Sequence, residues 1–273
     1  VILLLLLACA GSLTPAPSAV RLVSLSPGIT ETLGAIDALD TLVGRSDWCH
    51  APPAVDALPA VGSGLTPDLE RITALRPSTI LLDGSVGNQT DTLRGLAQVE
   101  VLPWLTADEL VSSTIRLGAL THHEPAANAL AKQLQTALLQ PAPAQGPAVL
   151  LALGGEPGND LWFIKQNSLH GSALHAAGGR NAVDHDVAGA PTLSTEALVT
   201  LDPPYVIVLL ATAPDAAKRE ATLADWSRLR TLRAVRDGHI GVLGGPLLLS
   251  PGPAILDTIR QLHEELARLG ALP

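Results

Sequence analysis

One pattern occurs twice in this chain, about half a chain length apart, and it limits what the sequence can fold into. The first copy reads Leu69-Glu70-Arg71-Ile72, then Leu75, Pro77 and the strand-like run Thr79-Ile80-Leu81-Leu82. The second reads Thr195-Glu196-Ala197-Leu198, then Leu201, Pro203 and Tyr205-Val206-Ile207-Val208-Leu209. The glutamate, the aliphatic residue after it, the leucine, the proline and the apolar run keep one register. A repeat this widely spaced is too long for a solenoid unit and suits two lobes of similar build. Each lobe then carries a glutamate at an equivalent place.

The chain of 273 residues has length enough for two modest domains. Aromatic residues make up only 2% and Met is absent, so the core has to come from Leu, Val, Ile and Ala, the residues of buried parallel strands and their covering helices. A net charge of −9 without a basic patch argues against nucleic acid as a partner.

Val1 to Ala8 is a short apolar run, below the ~20 residues that span a bilayer, and fits the hydrophobic region of a secretory signal peptide. Leu6-Leu7-Ala8-Cys9 resembles the bacterial lipobox, which makes Cys9 a candidate for lipidation and Pro15 to Ala19 a tether. The expectation is export to the periplasm or another extracytoplasmic space, with any membrane contact made through that anchor. With Cys9 spoken for, Cys49 is a lone thiol and no disulfide framework exists.

Strands alternating with helices predict parallel sheets. Val20–Leu25, Thr41–Gly44, the first repeat copy and Val99–Leu102 supply the strands of residues 20–105, with helices over Thr30–Ala38 and Asn88–Leu96. Residues 106–146 read as a helical linker: Thr106-Ala107-Asp108-Glu109 is a capping box opening a helix to about Leu120, and another helix from Pro125 to Leu139, with its stripe Ala127, Leu130, Leu134 and Leu138, is long enough to act as a spine. Residues 147–273 then repeat the alternation with strand Ala148–Leu153, helix Ser172–Ala177, the second copy, a helix from Trp226 to Val235, strand Ile240–Leu243 and helix Pro253–Leu269, which Ser250 is placed to cap.

Catalytic signatures are missing: there is no G-x-S-x-G elbow, no P-loop and no G-x-G-x-x-G after a strand. Cys49-His50 is a possible nucleophile with a neighbour, but no third orienting group can be named. No His, Cys or Asp set has metal-ligand spacing, although His50, His175 and His239 could in principle converge. Strand ends are more informative, because ligands of open α/β sheets sit beyond the carboxyl ends of strands. Ser26-Pro27-Gly28, Ser46 to His50, Asp83-Gly84-Ser85, Gly154 to Trp162 and Leu247 to Ser250 occupy such places. Trp48, in a Pro-rich loop, suits a ligand platform better than a core; Trp226, on a helical stripe with Leu229, suits packing. Trp104 and Trp162 fit either role. Glu70 and Glu196 each suit a helix first turn, where a carboxylate is favourable, but as a matched pair they also suit a shared surface task.

Arg21-Leu22-Val23-Ser24-Leu25-Ser26-Pro27 with Thr30-Glu31, Val43 to Cys49 with Pro52-Pro53, and Leu69 to Ile72 together resemble the class III periplasmic binding proteins, the cobalamin, siderophore and haem receptors of ABC importers. Ala177-Gly178-Gly179-Arg180-Asn181 and Leu232 to Gly238 resemble their second lobe, and the likeness runs from Arg21 to Leu269. It implies two α/β lobes joined by one rigid helix, with the ligand in the cleft between them and little hinge motion. It also implies that Glu70 and Glu196 pair with arginines on the two subunits of a permease dimer. Trp48 matches an aromatic that contacts the corrin in cobalamin receptors, whereas Ser63, Pro191 and Leu248 fall near places where further aromatics are expected.

The expectation is therefore a monomeric, non-enzymatic solute receptor that delivers a small-molecule metal complex to an ABC importer. The complex is a corrinoid first and a ferric siderophore or haem next, so cobalt or iron would arrive with the ligand rather than as a cofactor. The expected ligand-binding set is Ser26, Pro27, Asp47, Trp48, Cys49, His50, Gly84, Ser85, Trp162 and Leu248, with Cys49 or His50 as possible metal ligands. An exported metal-dependent hydrolase is the alternative from another class.

Overall fold

A computed structural model describes residues 20–84, 90–140, 145–154, 157, 160–187 and 190–272. Cys9 and Ser85 lie outside the described residues, as does most of the Gly154–Gly158 turn. The first lobe contains β1 (Leu22–Ser24), α1 (Pro27–Ala35), β2 (Leu42–Arg45), α2 (Leu69–Leu75), β3 (Thr79–Asp83), α3 (Thr90–Arg94) and β4 (Gln98–Leu102). Two helices follow, α4 (Ala107–Thr121) and α5 (Glu124–Leu138). The second lobe contains β5 (Ala148–Leu153), β6 (Leu161–Trp162), α6 (Leu169–Ala176), β7 (Arg180–Asn181), β8 (Thr192–Leu193), α7 (Thr195–Leu201), β9 (Tyr205–Leu210), α8 (Ala216–Ser227), α9 (Arg233–Arg236), β10 (Ile240–Gly244) and α10 (Ile255–Arg268).

Each lobe holds a four-stranded parallel sheet, ordered β2-β1-β3-β4 in the first and β10-β9-β5-β7 in the second. β6 and β8 form a small antiparallel pair at the side of the second. The inner strands are buried on both faces, which is why Ile80-Leu81-Leu82 and Val206-Ile207-Val208-Leu209 read as unbroken apolar runs.

The sequence repeat is a structural repeat. β3 and β9 are inner strands of their sheets, and each follows a short helix with matched ends. Asp68 accepts a hydrogen bond from the Arg71 N–H to open α2, and Ser194 accepts one from the Ala197 N–H to open α7. Arg76 and Asp202 end these helices in the left-handed region, at φ 46° and 40°. Each precedes the repeat proline, which disfavours helical backbone in the residue before it.

Some element bounds differ from expectation. α1 begins at Pro27 rather than Thr30, because a proline's locked φ suits a helix's first turn. The passage between the sheets holds two helices, close to the bounds that the capping box and Pro125 predicted. α4 opens with the Thr106–Glu109 capping box, but His122 ends it at φ 59° and Pro125 starts α5 afresh. The pair packs closely: a Cβ on Gly118 would stand 2.3 Å from that of Ala127. Finally, the Trp226–Val235 helix is two helices, α8 and α9. The strong helix formers Ala216-Ala217-Lys218-Arg219-Glu220-Ala221, capped by Asp215, start α8 ten residues earlier than expected.

Separate apolar clusters fill the outer faces, around Ile72 and Ile80 in the first lobe and around Trp226 and Val206 in the second. The inner faces share one core that runs from Ile29 and Leu33 through Leu110, Leu117 and Leu134 to Leu151, Ile255 and Leu262. Trp226 is fully buried, as its helical stripe suggested.

Candidate ligand cleft

The loop after β2 presents alternate residues to opposite sides. Its start is pinned by the Ser46 N–H on the Ser24 carbonyl at 2.9 Å, and by the Asp47 N–H on the Gly62 carbonyl at 2.8 Å. The Asp47 carboxylate returns an acceptor to the Gly62 N–H at 3.3 Å. Cys49 turns inward with no exposed surface, its Sγ 3.1 Å from the Thr30 hydroxyl and 3.2 Å from that of Ser46. Trp48 and His50 therefore turn outward, and Trp48 is 71% exposed.

His50 is itself held. Its Nδ1 lies 2.9 Å from Asp56 Oδ1, and Asp56 pairs with Arg45 at 3.3 Å. The Arg45 guanidinium is anchored on the Val55 and Ser46 carbonyls at 2.9 and 3.1 Å. With Nδ1 engaged, Nε2 is the ring nitrogen left for a ligand.

The facing wall comes from the second lobe, where the segment after β10 runs through Pro246, Leu247, Leu249 and Pro251. A hollow of about 520 Å³ lies between that wall and Pro27, Trp48 and His50. A neighbouring hollow of about 350 Å³ is lined by Trp104, Trp162, Lys165 and Pro191 and shares Leu249 and Pro251 with the first. A larger one, about 790 Å³, lies on the second lobe alone beside Glu196. The two adjoining hollows form the candidate ligand site, because both lobes build them and exposed indoles stand over each.

The expected binding residues divide on this geometry. Pro27, Trp48, His50 and the half-exposed Trp162 line the hollows. Ser26, Cys49 and Leu248 do not: all three are buried behind the surface, because Ser26 opens α1, Cys49 fills the space under the loop, and Leu248 turns into the core between two lining leucines. Asp47 braces its loop and lines neither hollow. Gly84 is exposed just beyond β3, with its N–H on the Leu102 carbonyl, and lines neither hollow. Trp104, left open by the sequence, is buried with its indole N–H donating to the Pro251 carbonyl.

Sequence reasoning passed over Glu31 as a site residue. It lies on α1 with only 9% exposure, at the edge of the first hollow. Burial pushes its carboxyl above the ordinary value of 4.5, and hydrogen bonds from the Ser250 hydroxyl and the Ala254 N–H work against that shift. The available signal was a single charged residue in the otherwise uncharged run Gly28-Ile29-Thr30-Glu31-Thr32-Leu33. His170, on α6, has its imidazole lowered from 6.5 by burial, opposed by its contact with the Leu248 carbonyl. Among the described residues no three His, Cys, Asp or Glu side chains gather as a metal site. His50, His175 and His239 are thus not brought together, and His239 stacks on Tyr205. The cleft offers broad apolar walls with few polar groups, an arrangement for holding a ligand.

A family model described as periplasmic binding protein matches residues 22–247. The chain belongs to that family. This is a solute-binding family, and the protein's place is outside the cytoplasm. The chain is 26% identical over 255 residues to a cobalamin-binding protein of Halobacterium salinarum, covering 89% of this chain and 68% of the relative. It is also 26% identical over 266 residues to the vitamin B12-binding protein of Pectobacterium atrosepticum, covering 93% and 90%. Among solved structures, a periplasmic heme binding protein from Pseudomonas aeruginosa superposes with a TM-score of 0.73 at 28% identity, over 93% of this chain and 94% of that one. The periplasmic vitamin B12 binding protein of Vibrio cholerae gives 0.74 at 23%, over 92% and 98%, and bears on the fold alone.

Proposed function

We propose that this chain is the receptor of an ABC importer, capturing a corrinoid in the cleft between its lobes and presenting it to the permease through Glu70 and Glu196. Trp48 carries this reading. It is a large exposed indole on a loop that Asp47, Cys49 and Arg45 hold still, and it faces an apolar wall from the other lobe. A rigid aromatic surface opposite aliphatic side chains suits a broad, flat macrocycle, and the cobalamin- and B12-binding relatives support that choice of ligand. Glu70 and Glu196 are exposed in the first turns of equivalent helices, one in each lobe, where a two-fold partner offering two cations would meet both.

Titration of residues 20–273 with cyanocobalamin, hemin and ferrichrome, followed by Trp fluorescence, tests the ligand. Cyanocobalamin should bind tightest, and Trp48→Ala should weaken it by about 2 kcal/mol, roughly thirtyfold. No response of the unmodified chain to any of the three would sink the reading. Charge reversal at both Glu70 and Glu196 should abolish uptake by cells while leaving the dissociation constant unchanged; weakened ligand binding instead would assign the glutamates to the fold or the cleft.

Haem is the second reading, favoured by His50. A histidine whose Nδ1 is held by a carboxylate has its other nitrogen oriented for a metal. If hemin binds tighter than cyanocobalamin, and His50→Ala changes the Soret band, the ligand is haem.

A further inference from the structure

Glu31 is a buried acid of the first lobe whose hydrogen-bond partners both belong to the second. The Ser250 hydroxyl donates to Oε2 at 2.7 Å, and the Ala254 N–H donates to Oε1. Ala254 opens α10, and no side chain of its own segment caps that end. The helix is capped across the lobe boundary instead, by a carboxylate where the helix dipole favours one.

The surrounding backbone is built for this contact. The Trp104 indole N–H, also from the first lobe, donates to the Pro251 carbonyl. A Cβ on Gly28 would stand 2.5 Å from Trp104 Nε1 and 2.8 Å from the Pro251 carbonyl oxygen. A Cβ on Gly252 would stand 2.7 Å from Glu31 Oε2. Both positions need a bare backbone for the lobes to meet at this distance. On its other side, the segment is tied to its own lobe where His170 Nε2 and the Thr258 hydroxyl reach the Leu248 carbonyl at 3.1 and 3.3 Å.

We propose that Glu31 is a positioning residue for the cleft, clamping the Ser250–Ala254 turn of the second lobe onto α1 of the first. Leu249 and Pro251, the wall common to both hollows, belong to or adjoin that turn. The clamp sets their distance from Trp48 on the first lobe, so the ligand meets a cleft whose width is already determined. An acid placed among apolar residues is costly unless its bonds are made, and here they are made only when the lobes are apposed.

The clamp can be tested without ligand, and only its effect on affinity rests on the receptor reading. Spin labels at Thr73→Cys and Thr200→Cys report the distance between lobes, and hydrogen exchange reports the first turn of α10. Glu31→Ala should broaden the distance distribution and raise exchange at Ala254 to Leu256 at least tenfold. Glu31→Gln keeps an acceptor for the Ala254 N–H and a donor for Ser250, and should stay near the unmodified protein in both. Cyanocobalamin affinity should fall about tenfold with Ala and recover with Gln, with hemin as the alternate probe. Should Glu31→Ala fail to fold, Gly252→Ala, which crowds the carboxylate without removing it, should show the same broadening and exchange. An unchanged distance distribution and unchanged exchange in either folded variant overturns the proposal. Failure of the unmodified chain to bind either probe would instead remove the receptor reading and leave the distance and exchange result standing.

Discussion

Trp48 and Cys49 are sequence neighbours with opposite environments, because the loop that carries them is held from below by Thr30 and Ser46. The thiol has no exposed surface, so a reagent cannot reach it in the folded protein. Native protein of residues 20–273, in which Cys49 is the one cysteine, should react with a thiol-specific reagent such as DTNB only at the rate at which it opens, and denaturant should make the reaction immediate. Fast reaction of the native thiol would show that the loop is not held as described. At this scale the sequence was legible where a residue's chemistry clashed with a loop, as for the exposed indole of Trp48. It was illegible where two readings shared one composition: Ser26, Cys49 and Leu248 sit beside lining residues and differ from them only in the direction their side chains take.

The repeated helices α2 and α7 show what single elements carry. Each has a side-chain cap at its start and a left-handed residue before a proline at its end, and each lies wholly within a dozen residues of sequence. Asp68→Ala and Ser194→Ala should each cost about 1 kcal/mol, measured by urea unfolding, with faster exchange confined to the capped helix. A global change in exchange from either would show that the caps serve more than their own helices. α10 behaves differently. Ser250 was expected to cap it locally, yet its first free N–H is satisfied by Glu31, 223 residues away in sequence. The α4–α5 break, by contrast, was legible in Pro125, a residue that suits a helix's first turn.

For the molecule as a whole, the two buried titrating groups at the lobe junction act in opposite directions. Glu31 binds its proton more tightly folded than unfolded, so its contribution to stability declines as pH rises from about 4.5 through the folded value. His170 resists protonation when folded, so stability also declines as pH falls below 6.5. Urea midpoints measured from mildly acid to neutral pH should show Glu31→Gln losing the decline on the rising side only. An unchanged profile in that variant would mean the acid is not desolvated at the junction.

The amino-acid sequence alone determined two α/β lobes, their parallel strands and the matched helices that carry Glu70 and Glu196. Periodicity, caps and prolines act over a few residues and leave a local record. Only the tertiary structure decided which side chains face the cleft and what holds it at its width. Those contacts join Trp104 to Pro251 and Glu31 to Ser250 and Ala254 across 147 to 223 residues. Contacts at that separation follow from how two finished lobes meet, and no local pattern encodes that.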